Sequence, residues 1–98
     1  MAEFKPVGLV RSLAGHDKEE LYIIISDQGE YVYLSDGLRR PLDKQKRKNK
    51  KHLQVIGVRD EELEKRLAGG GALRDFEIAA FIRTYKQEEG KKKCPKQT

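Results

Sequence analysis

Val10-Arg11-Ser12-Leu13-Ala14-Gly15-His16-Asp17-Lys18, followed at once by Leu21-Tyr22-Ile23-Ile24-Ile25, is the stretch on which the reading of this chain turns. The segment from Val7 to Leu13 carries β-branched residues with partial alternation, the pattern of a strand. Gly15 sits where the chain has to reverse, since glycine adopts positive φ without a steric cost. Leu21 to Ser26 is an almost unbroken apolar run, which predicts a strand buried on both faces. Asp17 in such a turn is better suited to holding its own backbone than to acting as a base.

Working outward, Asp27-Gln28-Gly29 predicts a second turn and Tyr31-Val32-Tyr33-Leu34 a third strand. Tyr31 and Tyr33 share one face and Val32 and Leu34 the other, so only one pair can point inward. Outward tyrosines would offer a stacking platform for bases, and Tyr22 is assigned to the core. Asp36-Gly37 is a hairpin signal. It leads into an expected fourth strand over Leu38 to Leu42, with Pro41 marking an edge. His52 to Ile56 is the expected fifth. Between them, Asp43 to Lys51 contains no apolar residue and is expected to be a mobile loop, because burial cannot offset its ordering entropy. Five short strands in so few residues predict a small, strongly bent sheet that closes on itself.

After Gly57 the period changes. Asp60 is placed to cap a helix running to about Ala68, with Glu61–Lys65 and Glu62–Arg66 at i, i+4 spacing and Leu63 and Leu67 as its apolar stripe. Gly69-Gly70-Gly71 ends it. A second helix from about Asp75 places Ile78, Phe81, Ile82 and Tyr85 on one side. The expected organisation is a flexible start over 1–5, a barrel over 6–57 with its basic loop at 43–51, a helical hairpin over 58–86 and a disordered tail over 87–98. The fold class is therefore mainly β with C-terminal helices.

Among 98 residues with a net charge of +5, the positive charge is concentrated. Eight Lys or Arg residues lie between Leu38 and His52 against the single acid Asp43. Such a local excess focuses a positive field suited to a phosphate backbone. Arg39, Arg40, Lys44, Lys46, Arg47, Lys48, Lys50 and Lys51 are the candidate contacts, with Arg11 and Lys18 at the edge of the surface. Cys94 is the only cysteine, so neither an internal disulfide nor a cysteine-based zinc site is expected. His16 and His52 have no second ligand at metal spacing. No cofactor is expected. No nucleophile–base arrangement or P-loop is present, so an enzyme is not expected. The lack of a long apolar run or a signal-peptide layout makes a cytoplasmic protein without a membrane span the expectation.

The opening hairpin resembles a KOW motif, with Gly15 as its required glycine, over roughly Lys5 to Tyr31. The wider pattern adds Asp36-Gly37-Leu38-Arg39-Arg40 and a lysine run ending in Lys51-His52-Leu53. With it, the chain resembles short bacterial KOW-domain RNA-binding proteins, themselves similar to large-subunit ribosomal proteins of archaea and eukaryotes. The resemblance implies an SH3-like barrel whose loops bind RNA, often ribosomal RNA, in a ribonucleoprotein of the translation machinery. Such a protein would be a monomer when free, with ribosomal proteins as further partners. The chain departs from the motif at Glu19-Glu20, where a glycine is common. Two acids there repel phosphate and move the expected RNA contact to residues 39–51. The alternative expectation is a protein-interaction module of a translation or transcription complex, using Glu19, Glu20 and the acids of the first helix.

Overall fold

The computed structural model describes residues 4–93, with side chains as far as Glu89. Five strands form one antiparallel sheet: β1 (Leu9–Ser12), β2 (Leu21–Gln28), β3 (Tyr31–Ser35), β4 (Lys46–Asn49) and β5 (Leu53–Ile56), in the order β4-β3-β2-β1-β5. Helices α1 (Glu61–Ala68) and α2 (Asp75–Lys93) follow. The first three strands and the fifth lie where the sequence places them. The fourth does not.

Residues 37–40 are a bend instead of a strand, and the segment expected to be a mobile loop supplies β4. The loop after Asp36 is tied into its own backbone. Asp36 Oδ1 accepts from the amides of Leu38 and Arg40, both at 2.9 Å, and Ser35 Oγ donates to the Arg40 carbonyl at 2.7 Å. Those bonds consume the groups a strand over 38–42 would need for its ladder. A short 3₁₀ turn at Leu42–Lys44 then delivers Lys46–Asn49 antiparallel to β3, pairing Leu34 with Lys46 and Val32 with Lys48.

Strand alternation sorts the side chains onto two faces. One face carries Val10, Tyr22, Ile24, Val32, Leu34 and Leu53, of which Val10, Ile24, Val32 and Leu34 are fully buried. Each such aliphatic side chain contributes about 1.5–3 kcal/mol of burial. The other face carries Val7, Leu9, Leu21 and Ile23, and α1 and α2 cover it with Leu63, Ile78, Phe81 and Ile82. Tyr22 is therefore core. Tyr31 and Tyr33 lie on the helix-bearing face but over β3, and Tyr31 is exposed.

The sheet curls. In a flat sheet the edge strands β4 and β5 would lie about 19 Å apart. Only Lys50–His52 joins them, and from Asn49 to Leu53 the chain reaches at most about 14 Å. A bulge between Ile24 and Ser26 provides part of the bend.

Helix α1 keeps its sequence-derived bounds and α2 begins at the expected Asp75. Asp60 caps α1, accepting from Leu63 N at 3.1 Å. The expected i, i+4 ion pairs are replaced by others. Arg59 donates to Glu64 at 2.5 and 3.0 Å, and Arg66 pairs with Glu77 of α2, joining the two helices. Helix α2 continues to Lys93, so the chain is helical over the first part of the tail expected to be disordered; residues 94–98, with Cys94, lie outside the described residues, as do residues 1–3. Phe4, within the expected flexible start, packs against the inner cluster.

Candidate nucleic-acid interface

The turn between β1 and β2 places a carboxylate over the open end of the curled sheet. Gly15 there has φ +88°, and the turn is tied by Glu19 N to Ser12 O at 2.8 Å and Ser12 N to Glu20 O at 2.9 Å. Asp17 points back over the inner face, where four strand residues converge on it. Ser12 Oγ donates to its Oδ1 at 3.0 Å and Tyr22 OH to its Oδ2 at 2.9 Å. Lys48 Nζ reaches Oδ1 at 2.9 Å and Lys46 Nζ reaches Oδ2 at 3.0 Å. Lys48 also donates to the Ala14 carbonyl at 2.9 Å. Burial alone would raise the Asp17 pKa and is the largest single influence on it. The bonds from Lys48, Lys46, Tyr22 and Ser12 together outweigh burial and hold the carboxyl well below the usual range. Burial first, then the hydrogen bond to Asp17 and its charge, push the Tyr22 hydroxyl upward.

This arrangement divides the basic residues singled out from the sequence. Lys46 and Lys48 point inward to Asp17, and the Lys48 side chain is only 11% exposed. They act as a clamp between the first turn and β4, not as part of an open loop. Arg11 donates to both Glu89 oxygens, at 2.9 and 3.2 Å, and lies 3.8 Å from Glu19. Lys50 pairs with Asp27 at 2.8 Å and sits 5.3 Å over the Phe4 ring. Arg39, Arg40, Lys44 and Lys51 are exposed, as is Lys18 on the turn, and none of their side chains has an ion-pair or hydrogen-bond partner among the described residues. Arg47 is exposed too, with its guanidinium carbon 4.8 Å over the Tyr31 ring.

Alternation explains the division. With Lys46 and Lys48 inward, Arg47 must project from the outer face, beside its register partner Tyr33 and next to Tyr31. An open hollow at the edge of this patch is lined by Tyr33, Leu42, Asp43, Lys44 and Gln45. Helix α2 adds cations that the sequence reading missed. Arg83 and Lys86 line the same hollow as Arg39, together with Leu38, Glu20 and Asp36. Their i, i+3 spacing was a visible signal that they share a helix side, but which loop that side meets depends on the docking of α2.

A third concavity, of about 710 Å³, lies between the helices, with Leu63, Ala80 and Phe81 among its lining residues and Glu62 and Glu88 among its acids. Among the described residues no group of three His, Cys, Asp or Glu side chains could hold a metal ion. No helix among them is long and apolar enough to cross a membrane. No protein-family model matches the chain, and no curated protein is similar to it at a significant level.

Proposed function

We propose that this chain is an RNA-binding protein of the KOW type. Its curled sheet would close as an SH3-like barrel, and its outer cations would hold the backbone of structured RNA, ribosomal RNA foremost. The observation that carries this reading is the division of the basic residues. The fold gives Arg11, Lys46, Lys48 and Lys50 acidic partners, yet leaves Arg39, Arg40, Lys44, Arg47 and Lys51 exposed with none among the described residues. Cations left without acidic partners add to one positive field, and a phosphate backbone is a ligand that such a field attracts. The KOW-like turn around Gly15 supports the same reading. Arg39 and Arg40 bring planar forks of donors, whereas the lysines act as point charges, so recognition is mostly of shape and backbone.

Anisotropy titration of a labelled ribosomal RNA hairpin at several salt concentrations tests this. If about five phosphates are neutralised, log K falls with log[salt] at a slope of roughly −3.5 to −4.5. Affinity that hardly changes with salt overturns the proposal. Cross-linking in cells, followed by sequencing of the attached RNA, tests the ribosomal assignment.

The crevice between α1 and α2 favours a second reading, a protein-interaction module. Its apolar floor and its acids Glu62 and Glu88 suit a partner segment carrying both apolar and basic residues. Replacing Arg39, Arg40, Lys44, Arg47 and Lys51 with Gln separates the two readings. Loss of RNA with co-purifying proteins retained supports the first, and the reverse supports the second.

A further inference from the structure

The outer surface of β3 and β4 has a chemistry that backbone binding does not use. Tyr31 and Tyr33 project from the sheet face that α1 and α2 cover over β1, β2 and the end of β5, and neither tyrosine belongs to that covered cluster. Tyr31 is 38% exposed, and the planar Arg47 group already lies 4.8 Å over its ring. Tyr33 borders the hollow that opens beside Lys44 and Gln45. Two aromatic rings and two exposed cations, Arg47 and Lys44, thus share one small patch. A core would have turned the tyrosines inward and left Val32 and Leu34 outside; the register does the opposite.

We infer that this patch is a stacking site for unpaired nucleotides, resting on the RNA-binding reading above. Residues two apart on a strand are separated by about 6.8 Å. Bases stacked within a duplex strand are spaced by about 3.4 Å. Neighbouring bases can therefore meet Tyr31 and Tyr33 only after they have come apart from each other, as in a loop, bulge or strand end. Paired bases have their faces covered by their neighbours and cannot reach either ring. Arg47 and Lys44 supply counter-charge for the phosphates of the splayed segment. The ligand is accordingly RNA with a short single-stranded stretch beside the helix that the other cations hold.

The test uses the full chain and two probes: a single-stranded RNA decamer with one central 2-aminopurine, and the same strand annealed to its complement. The single strand is expected to bind more tightly and its 2-aminopurine fluorescence to be quenched on binding. Tyr31→Ala should weaken single-strand binding roughly tenfold and abolish the quench, while leaving duplex binding unchanged. Tyr31→Phe keeps the ring and should keep both signals, which separates stacking from a general effect on the fold. Arg47→Lys keeps the charge but not the plane and should lose part of the quench. Duplex bound as tightly as single strand, with Tyr31→Ala unchanged, overturns the stacking site while leaving backbone binding standing. Failure of the unaltered chain to bind either probe at low salt overturns both.

Discussion

Asp17 joins the first turn to a strand 31 residues further on through one carboxylate. Replacing it with Asn leaves Lys46 and the nearly buried Lys48 without a counter-charge, at a cost of about 3 kcal/mol by the usual measure of broken buried pairs. Urea unfolding will show this as a lower midpoint. The pH dependence has a definite sign. The folded-state pKa lies below the 3.8 of a free aspartate. The contribution of Asp17 is therefore complete above about pH 4 and is lost as the pH falls toward the folded value. The gap in stability between the native chain and Asp17→Asn should be constant from about pH 5 to 7 and should narrow below about pH 4. Two residues on, Glu19 has φ +78°, a left-handed conformation that costs a non-glycine residue about 1 kcal/mol. Its ion pair with Arg11 is long and lies at an exposed site. Glu19→Gly should raise stability by roughly 0.5–1 kcal/mol, read as a higher unfolding midpoint, and a fall would refute the strain.

At the scale of elements, the Asp36–Arg40 loop decides how α2 is docked. Gly37 has φ +77°, and a Cβ there would collide with the Asp75 carbonyl and lie 2.9 Å from Ala79 N. Asp75 in turn accepts from Leu42 N at 2.7 Å. Gly37→Ala should cost about 3 kcal/mol and loosen α2, seen as faster amide exchange along the helix than in β2. The strands β1, β2, β3 and β5 were legible because apolar and β-branched runs between turn residues mark them directly. So were the buried stripes Leu63 and Ile78-Phe81-Ile82, which follow the helical period. Strand β4 was not legible, for a physical reason. Lys46 to Asn49 contains no apolar residue; it is ordered by the β3 ladder and by a carboxylate some 30 residues away. The lysine stems bury while their charged ends meet Asp17, and no local period records that. The candidate site was half legible for the same reason. Arg39 and Arg40 are exposed on a bend where a strand was expected and Arg47 on β4 where a loop was expected, and which lysines face inward depends on the register of a strand that the sequence did not announce.

Across the whole molecule the basic residues serve two tasks that separate experimentally. Lys46→Gln with Lys48→Gln should lower stability and leave the salt slope of RNA binding nearly unchanged. Arg39→Gln with Arg40→Gln and Arg47→Gln should leave the unfolding midpoint within about 0.5 kcal/mol and flatten the slope by roughly 2–3. Paired urea and anisotropy measurements on both variants check this, and a stability loss confined to the second set would reverse the assignment. The place of β4 in the sheet order has one more consequence. It stands at the end of the sheet order, and an end strand that is left unpaired templates self-association unless something disfavours it. Two copies meeting edge to edge along β4 would bring the exposed Arg47 of each against that of the other. Such a like-charge contact disfavours extension of the sheet into dimers and fibres, and Arg47→Gln is expected to lower solubility as well as weaken RNA binding.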